Sequence, residues 1–72
     1  MSNRSAIILK TGRGIRGFSQ HEVAEIYGVD RRTYQRWESG KSNVPSNHFL
    51  AILDDVFHLS IEQITEVANA SM

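Results

Sequence analysis

Two consecutive short segments near the middle of the chain each carry a helix start signal and a glycine stop, and this pair of signals constrains the fold most. Ser19 and Glu22 have the spacing of a capping box, in which each side chain accepts from the backbone N–H of the other residue. Gly28 is suited to end that helix. Asp30 is a good N-cap for a second helix, which Gly40 ends in the same way. The spacing predicts two short helices joined by a tight turn.

The second of these helices is polar on one side only. At about 100° per residue, one arc holds three arginines and a glutamine: Arg31, Arg32, Gln35 and Arg36. The opposite arc holds Thr33, Tyr34 and Trp37, which we expect to face the core. The helix therefore presents a cationic front on an apolar back.

Two further helices are predicted after Pro45. Ser46 is expected to cap the first, whose apolar residues follow helical spacing: Phe49, Ile52, Leu53, Val56 and Phe57. Ser60 and Gln63 form a second capping-box pattern, and the last helix carries Ile61, Ile64 and Val67. The chain is thus predicted to be all-α, with four or five helices in a single domain over residues 1–72.

The beginning of the chain allows two interpretations. One is a helix from about Asn3 to Lys10, frayed or bent as far as Arg16, because each glycine of segment 11–17 weakens a helix by about 1 kcal/mol relative to alanine. The other is a short strand over residues 6–9, followed by a basic glycine-rich loop.

Composition argues against several classes of protein. Seventy-two residues suffice for one small domain, the absence of cysteine excludes disulfides and thiolate sites, and no apolar run approaches the ~18 residues of a membrane span. His21, His48 and His58 lack a metal-ligand spacing, and no nucleophile–base pair is apparent. We expect a cytoplasmic protein that is not an enzyme and needs no metal, cofactor or small-molecule ligand.

The net charge of zero conceals an uneven distribution. All eight Lys and Arg residues lie in residues 1–41 together with four acids, whereas residues 42–72 carry four acids and no Lys or Arg. The first part therefore has a formal charge of +4 and the second of −4. Such asymmetry favours a polyanion as the partner of the N-terminal part.

Four segments occur together at a characteristic spacing: Ser19-Gln20-His21-Glu22-Val23-Ala24, Gly28-Val29-Asp30, Tyr34-Gln35-Arg36-Trp37-Glu38-Ser39-Gly40-Lys41, and Pro45. Over roughly residues 17–64 the chain resembles the Cro/repressor-type, or xenobiotic-response-element-like, helix-turn-helix family of phage and bacterial regulators. The resemblance implies a compact lambda-repressor-like fold with a central helix-turn-helix at about residues 19–39.

The resemblance also implies which residues contact DNA. The base-reading positions of the recognition helix correspond to Arg31, Arg32 and Arg36, and arginine suits this role because its planar fork bonds guanine O6 and N7 together. Gln35 lies on the same front, where it reaches a base or a phosphate. Contacts to the DNA backbone are assigned to Gln20, Ser39, Lys41, Ser42 and Asn43.

In the family, an acid at the position of Glu38 often pairs with an arginine of the first helix. Arg13 is the positional match, and Arg16 is the alternative. The glycine-rich segment 11–17 departs from a typical first helix, however, and a basic arm on the phosphate backbone is the other interpretation of it.

The resemblance implies a sequence-specific DNA-binding transcriptional regulator, a small phage-type Cro-like repressor that acts by occupying its operator. We expect it to read double-stranded DNA in the major groove at a palindromic operator, as a homodimer that forms at least on DNA, in the nucleoid of a bacterial or phage-infected cell. The dimer contact is assigned to Leu59, Leu50 and Ile61. The alternative is a protein-binding helical module, such as an antitoxin or anti-repressor, that keeps the same fold.

Overall fold

The computed structural model describes residues 4–70, and all its regular elements are helices. The elements are α1 (Arg4–Arg16), α2 (Gln20–Tyr27), α3 (Arg31–Ser39), α4 and α5 (Ile61–Ala70). Helix α4 begins in α-helical form over Ser46–Ala51 and continues directly in π-helical form over Ile52–Phe57. The predicted all-α fold is confirmed, with five helices and no strand among the described residues.

The caps of α2 and α3 lie where the sequence predicts them. Ser19 Oγ accepts from the backbone N–H of Glu22, and Glu22 Oε1 accepts from the backbone N–H of Ser19 at 2.8 Å. Asp30 Oδ2 accepts from the backbone N–H of Arg32 at 3.0 Å. Gly28 and Gly40 both take the left-handed conformation, with φ of 87° and 79°. These glycines end the two helices without steric cost, and Gly28 also makes the turn that joins them.

The core lies between α1, the α2–α3 pair and the C-terminal helices. Its fully enclosed side chains come from all five helices: Leu9, Val23, Tyr34, Ile52, Phe57 and Ile64. Trp37 is 7% exposed and belongs to the same cluster, as its arc on α3 predicts. Burial of these rings and aliphatic groups fixes α3 against the rest of the molecule, because the packing holds one face of the helix inward.

Helix α1 runs without a break to Arg16, the furthest point that the first interpretation allows. It passes through Gly12 and Gly14, and the alternative of a short strand over residues 6–9 with a glycine-rich loop is wrong. The expected start at Asn3 lies outside the described residues. A Cβ atom at Gly12 would stand 2.7 Å from Phe57 Cδ2, which shows that this glycine lets α1 approach the aromatic core. The glycine serves close packing and does not break the helix.

One detail of the C-terminal helices differs from expectation. Ser46 is the first residue of α4 and does not cap it; Pro45 precedes the helix without a side-chain cap bond. The Ser60–Gln63 capping box of α5 is present, with both hydrogen bonds formed. Of the apolar residues predicted on α5, Ile64 is buried, whereas Ile61 and Val67 remain about two-fifths exposed.

No helix within residues 4–70 combines the length and apolar character that a membrane span requires.

Candidate nucleic-acid interface

Helix α3 presents its polar arc to solvent. Arg31, Arg32, Gln35 and Arg36 are all exposed, and none of their side chains makes a hydrogen bond or ion pair with another described residue. The opposite side of the helix is buried through Tyr34, Trp37 and Glu38. The three guanidinium groups therefore keep all their donors available to a ligand outside the protein.

Two clefts on this surface bring together most of the residues assigned to DNA. The first is lined by residues of α2, α3 and the following loop: Gln20, Arg32, Gln35, Arg36, Ser39 and Lys41. The second lies at the N-terminal end of α3 and is lined by Asp30, Arg31, Arg32 and Gln35. Ser42 and Asn43 line neither cleft; Ser42 is half-buried and Asn43 is exposed. Their assignment as backbone contacts stays a prediction, as do the others.

A buried ion pair lies directly beneath this surface. Arg13 donates from Nη2 to Glu38 Oε1 at 2.7 Å and from Nε to Glu38 Oε2 at 2.9 Å. Its Nη1 also donates to the carbonyl of Phe18 at 2.9 Å. Gln20 donates from Nε2 to the same Glu38 Oε1 at 3.3 Å. The network joins α1, α2 and α3, so the orientation of the polar surface depends on it.

The structure decides between the two arginines proposed for Glu38. Arg13 is the partner, as the resemblance implies, and Arg16 is not. Arg16 donates instead to the backbone carbonyls of Phe57 and His58, where it caps the end of α4. Since both arginines of segment 11–17 are bound within the protein, the interpretation of this segment as a basic arm on the phosphate backbone is wrong.

The ion pair changes the titration of its members. Burial by itself raises the pKa of Glu38, but hydrogen bonding and charge attraction from Arg13, together with the polar groups of Tyr34 and Gln20, outweigh it, and the pKa lies below its ordinary value. The same hydrogen bond raises the pKa of Arg13. Burial and the negative charge of Glu38 raise the pKa of Tyr34, whose hydroxyl lies beside the pair without a well-aligned hydrogen-bond partner among the described residues. Glu38 is therefore a carboxylate and Tyr34 a neutral phenol near neutral pH.

Sequence reasoning missed a cluster of three rings that ties α2, α3 and α4 together. His48 stacks on Trp37, with ring centroids 5.7 Å apart, and its Nδ1 lies 2.6 Å from the hydroxyl oxygen of Tyr27. His48 lies in the first turn of α4 and is half-buried. Helical periodicity carries no signal for this contact, because it depends on how three helices meet.

The residues assigned to a dimer contact line one apolar groove between α4 and α5. Leu50 is 54% exposed and Ile61 is 41% exposed, whereas Leu59 is half-buried and packs against the core. Asp54 and Glu62 also line the groove. The groove offers an apolar contact surface with an acidic border, at residues far along the chain from the cationic front of α3.

Within residues 4–70, no three His, Cys, Asp or Glu side chains lie close enough to hold a metal ion. His21 is exposed and lies 3.8 Å from Glu25 one helical turn away, while His58 ends α4 in a left-handed conformation.

A family model described as helix-turn-helix matches residues 9–64, from the middle of α1 into α5. Comparison with curated proteins and with solved structures gave no significant match.

Proposed function

The chain belongs to the Cro/repressor-type helix-turn-helix family of DNA-binding transcriptional regulators, and we propose that it is a small phage-type repressor that acts by occupying its operator. It reads double-stranded DNA in the major groove, in the nucleoid of a bacterial or phage-infected cell. The proposal treats residues 1–72 as one DNA-binding domain.

The observation that carries the proposal is the arrangement of α3. Three exposed arginines without intramolecular partners stand on one arc, while Tyr34 and Trp37 anchor the other arc in the core. A major groove about 12 Å wide admits one such helix, and each bidentate arginine–guanine pair contributes about 1–3 kcal/mol of discrimination. Gln20, Ser39 and Lys41 border the same cleft, which supports their assignment to the phosphates beside the groove.

We propose further that the protein binds a palindromic operator as a homodimer. One recognition helix contacts only a few base pairs, and two helices about 34 Å apart double the sequence that is read. Leu50, Leu59 and Ile61 supply the dimer contact. Helices α4 and α5, which carry these residues, contain no Lys or Arg, so phosphate repels them and they face away from DNA. The contact is small, and we expect the dimer to assemble on the operator.

Selection of bound sequences from random double-stranded DNA tests the proposal. We expect one enriched motif made of two inverted half-sites, bound by two protein molecules. Ile61→Asp is expected to abolish the gain in affinity of the full operator over a single half-site. Ile26→Asp is the matched control, because Ile26 is 56% exposed on α2 and does not line the groove.

Each part of the proposal can fail separately. Enrichment of a motif without inverted symmetry, bound by one protein molecule, would remove the dimer and keep DNA recognition. Absence of any enriched motif, together with DNA binding no stronger than that of a neutral protein, would favour the protein-binding helical module.

A further inference from the structure

Asp30 combines a capping role with an unused acceptor. Its Oδ2 accepts from the backbone N–H of Arg32, whereas its Oδ1 has no hydrogen bond or ion pair with another described residue. The side chain is exposed at the N-terminal end of α3. One carboxylate oxygen therefore remains free at the end of the helix that enters the groove.

The surroundings of Asp30 are the residues that we propose as base readers. Arg31, Arg32 and Gln35 line one cleft with it, yet neither arginine forms an ion pair with its carboxylate. A serine or an asparagine caps a helix about as well as an aspartate, so capping does not require the charge. A negative charge facing phosphates would oppose binding. The position is favourable when the free oxygen meets a hydrogen-bond donor of a base.

We propose that Asp30 is a specificity-determining residue that selects a cytosine in the operator. An ionised carboxylate only accepts hydrogen bonds, and cytosine presents its N4 amino group in the major groove. Thymine O4 and guanine O6 and N7 are acceptors, which repel the carboxylate, and adenine places its N7 acceptor beside its amino group. This inference rests on the proposed function, because it assumes that α3 lies in the major groove.

The other residues of the same cleft predict which base lies next to the selected cytosine. Arg31 and Arg32 stand beside Asp30 with their donors unpaired, and each is suited to a guanine. The carboxylate accepts from the amino group of cytosine, and a guanidinium beside it donates to the acceptors of guanine. A G·C pair and the base pairs next to it present both kinds of group. We therefore expect the cytosine to lie within or next to a guanine contact of the half-site.

Two variants that preserve the cap test the inference. Asp30→Ser and Asp30→Asn keep an N-cap acceptor, so thermal unfolding followed by circular dichroism is expected to change little. Affinity is then measured for operators that carry each of the four bases at every half-site position. The matched control is Asp55→Asn, which removes the same charge from an exposed residue of α4 outside the cleft.

We expect the parent to prefer cytosine about tenfold at one position of each half-site, in line with the discrimination of a single base contact. In Asp30→Ser this preference is expected to fall below about twofold, and in Asp30→Asn it is expected to move to adenine, whose N6 and N7 an asparagine bonds together. Asp55→Asn is expected to keep the cytosine preference.

An unchanged cytosine preference in both Asp30 variants, or no position of cytosine preference in a parent that selects a motif, would overturn the inference and leave the proposed function standing. A parent that selects no motif would overturn both.

Discussion

Arg13 and Glu38, separated by 25 positions in sequence, form a charge-paired contact in which two guanidinium nitrogens meet both carboxylate oxygens at 2.7–3.1 Å. The Glu38 side chain is only 3% exposed and that of Arg13 is 21% exposed. Since Arg13 also donates to the carbonyl of Phe18, the pair connects α1 with the start of α2 and with α3. It holds the helix-turn-helix against the first helix.

Removing the cation should destabilise the protein strongly. Arg13→Met keeps much of the side-chain volume but leaves Glu38 buried without a partner, so we expect the free energy of unfolding in urea to fall by about 3 kcal/mol. Partial exposure of Arg13 places the value at the lower end of the range for buried pairs. The double variant Arg13→Met/Glu38→Leu should recover part of the loss. A single-variant loss below about 0.5 kcal/mol would match an exposed ion pair instead.

Stability should decrease in acid because of the lowered pKa of Glu38. Its pKa in the folded state lies below the ordinary 4.5, so its contribution is complete above that pH and is lost as the pH falls through the folded value. We expect the free energy of unfolding to decline from about pH 5 downwards, and the decline to be shallower in Glu38→Gln. Glu66→Gln, an exposed acid of α5, is the control and should keep the parent slope.

Alanine should act in opposite directions at two glycines of α1. At Gly12 the new Cβ would lie 2.7 Å from the Phe57 ring, and we expect a loss of about 1–3 kcal/mol from overpacking. At Gly14 nothing lies within 4 Å of the new Cβ, and better helix propensity should add about 0.5–1 kcal/mol. Thermal unfolding of the two variants measures the contrast. Stabilisation by both would mean that α1 stands further from α4 than described.

Trp37→Ala should unfold the protein more easily without a direct effect on base selection. It empties a position that is 7% exposed and removes the ring on which His48 stacks, at a cost of about 3–5 kcal/mol. The total free energy of unfolding of a domain of this size is little larger than this loss. Chemical denaturation measures the loss. Normal unfolding combined with lost DNA affinity would identify Trp37 as a DNA contact.

The arginines of α3 should show the reverse behaviour. Arg31→Ala, Arg32→Ala and Arg36→Ala are each expected to change stability by less than about 0.5 kcal/mol, because their side chains are exposed and unpaired. Each should weaken binding to the selected operator by about 1–3 kcal/mol and binding to random DNA by less. Lys10→Ala is the control, because Lys10 is an exposed cation of α1 outside both clefts. It should weaken binding to the operator and to random DNA equally, or leave both unchanged. Equal losses on both DNAs would assign that arginine to a phosphate.

Most of the helix ends could be predicted from the sequence because they depend on residues close together in the chain. The boxes at Ser19–Glu22 and Ser60–Gln63 each join residues three apart, and Gly28 and Gly40 act through their own backbone angles. The polar arc of α3 follows from helical periodicity in the same way. Ser46 shows the limit of such signals, since a good cap residue there became the first residue of the helix.

By itself the sequence determined the caps of α2, α3 and α5, the glycine stops and the cationic arc, because these arise from neighbours within one helical turn. Only the tertiary structure decided that Gly12 seats α1 on Phe57, that Arg13 and not Arg16 pairs with Glu38, and that His48 joins Tyr27 and Trp37. It also decided that Leu59 turns partly into the core while Leu50 stays exposed. These contacts join residues distant in the chain, and they exist only once particular helix faces meet at particular angles.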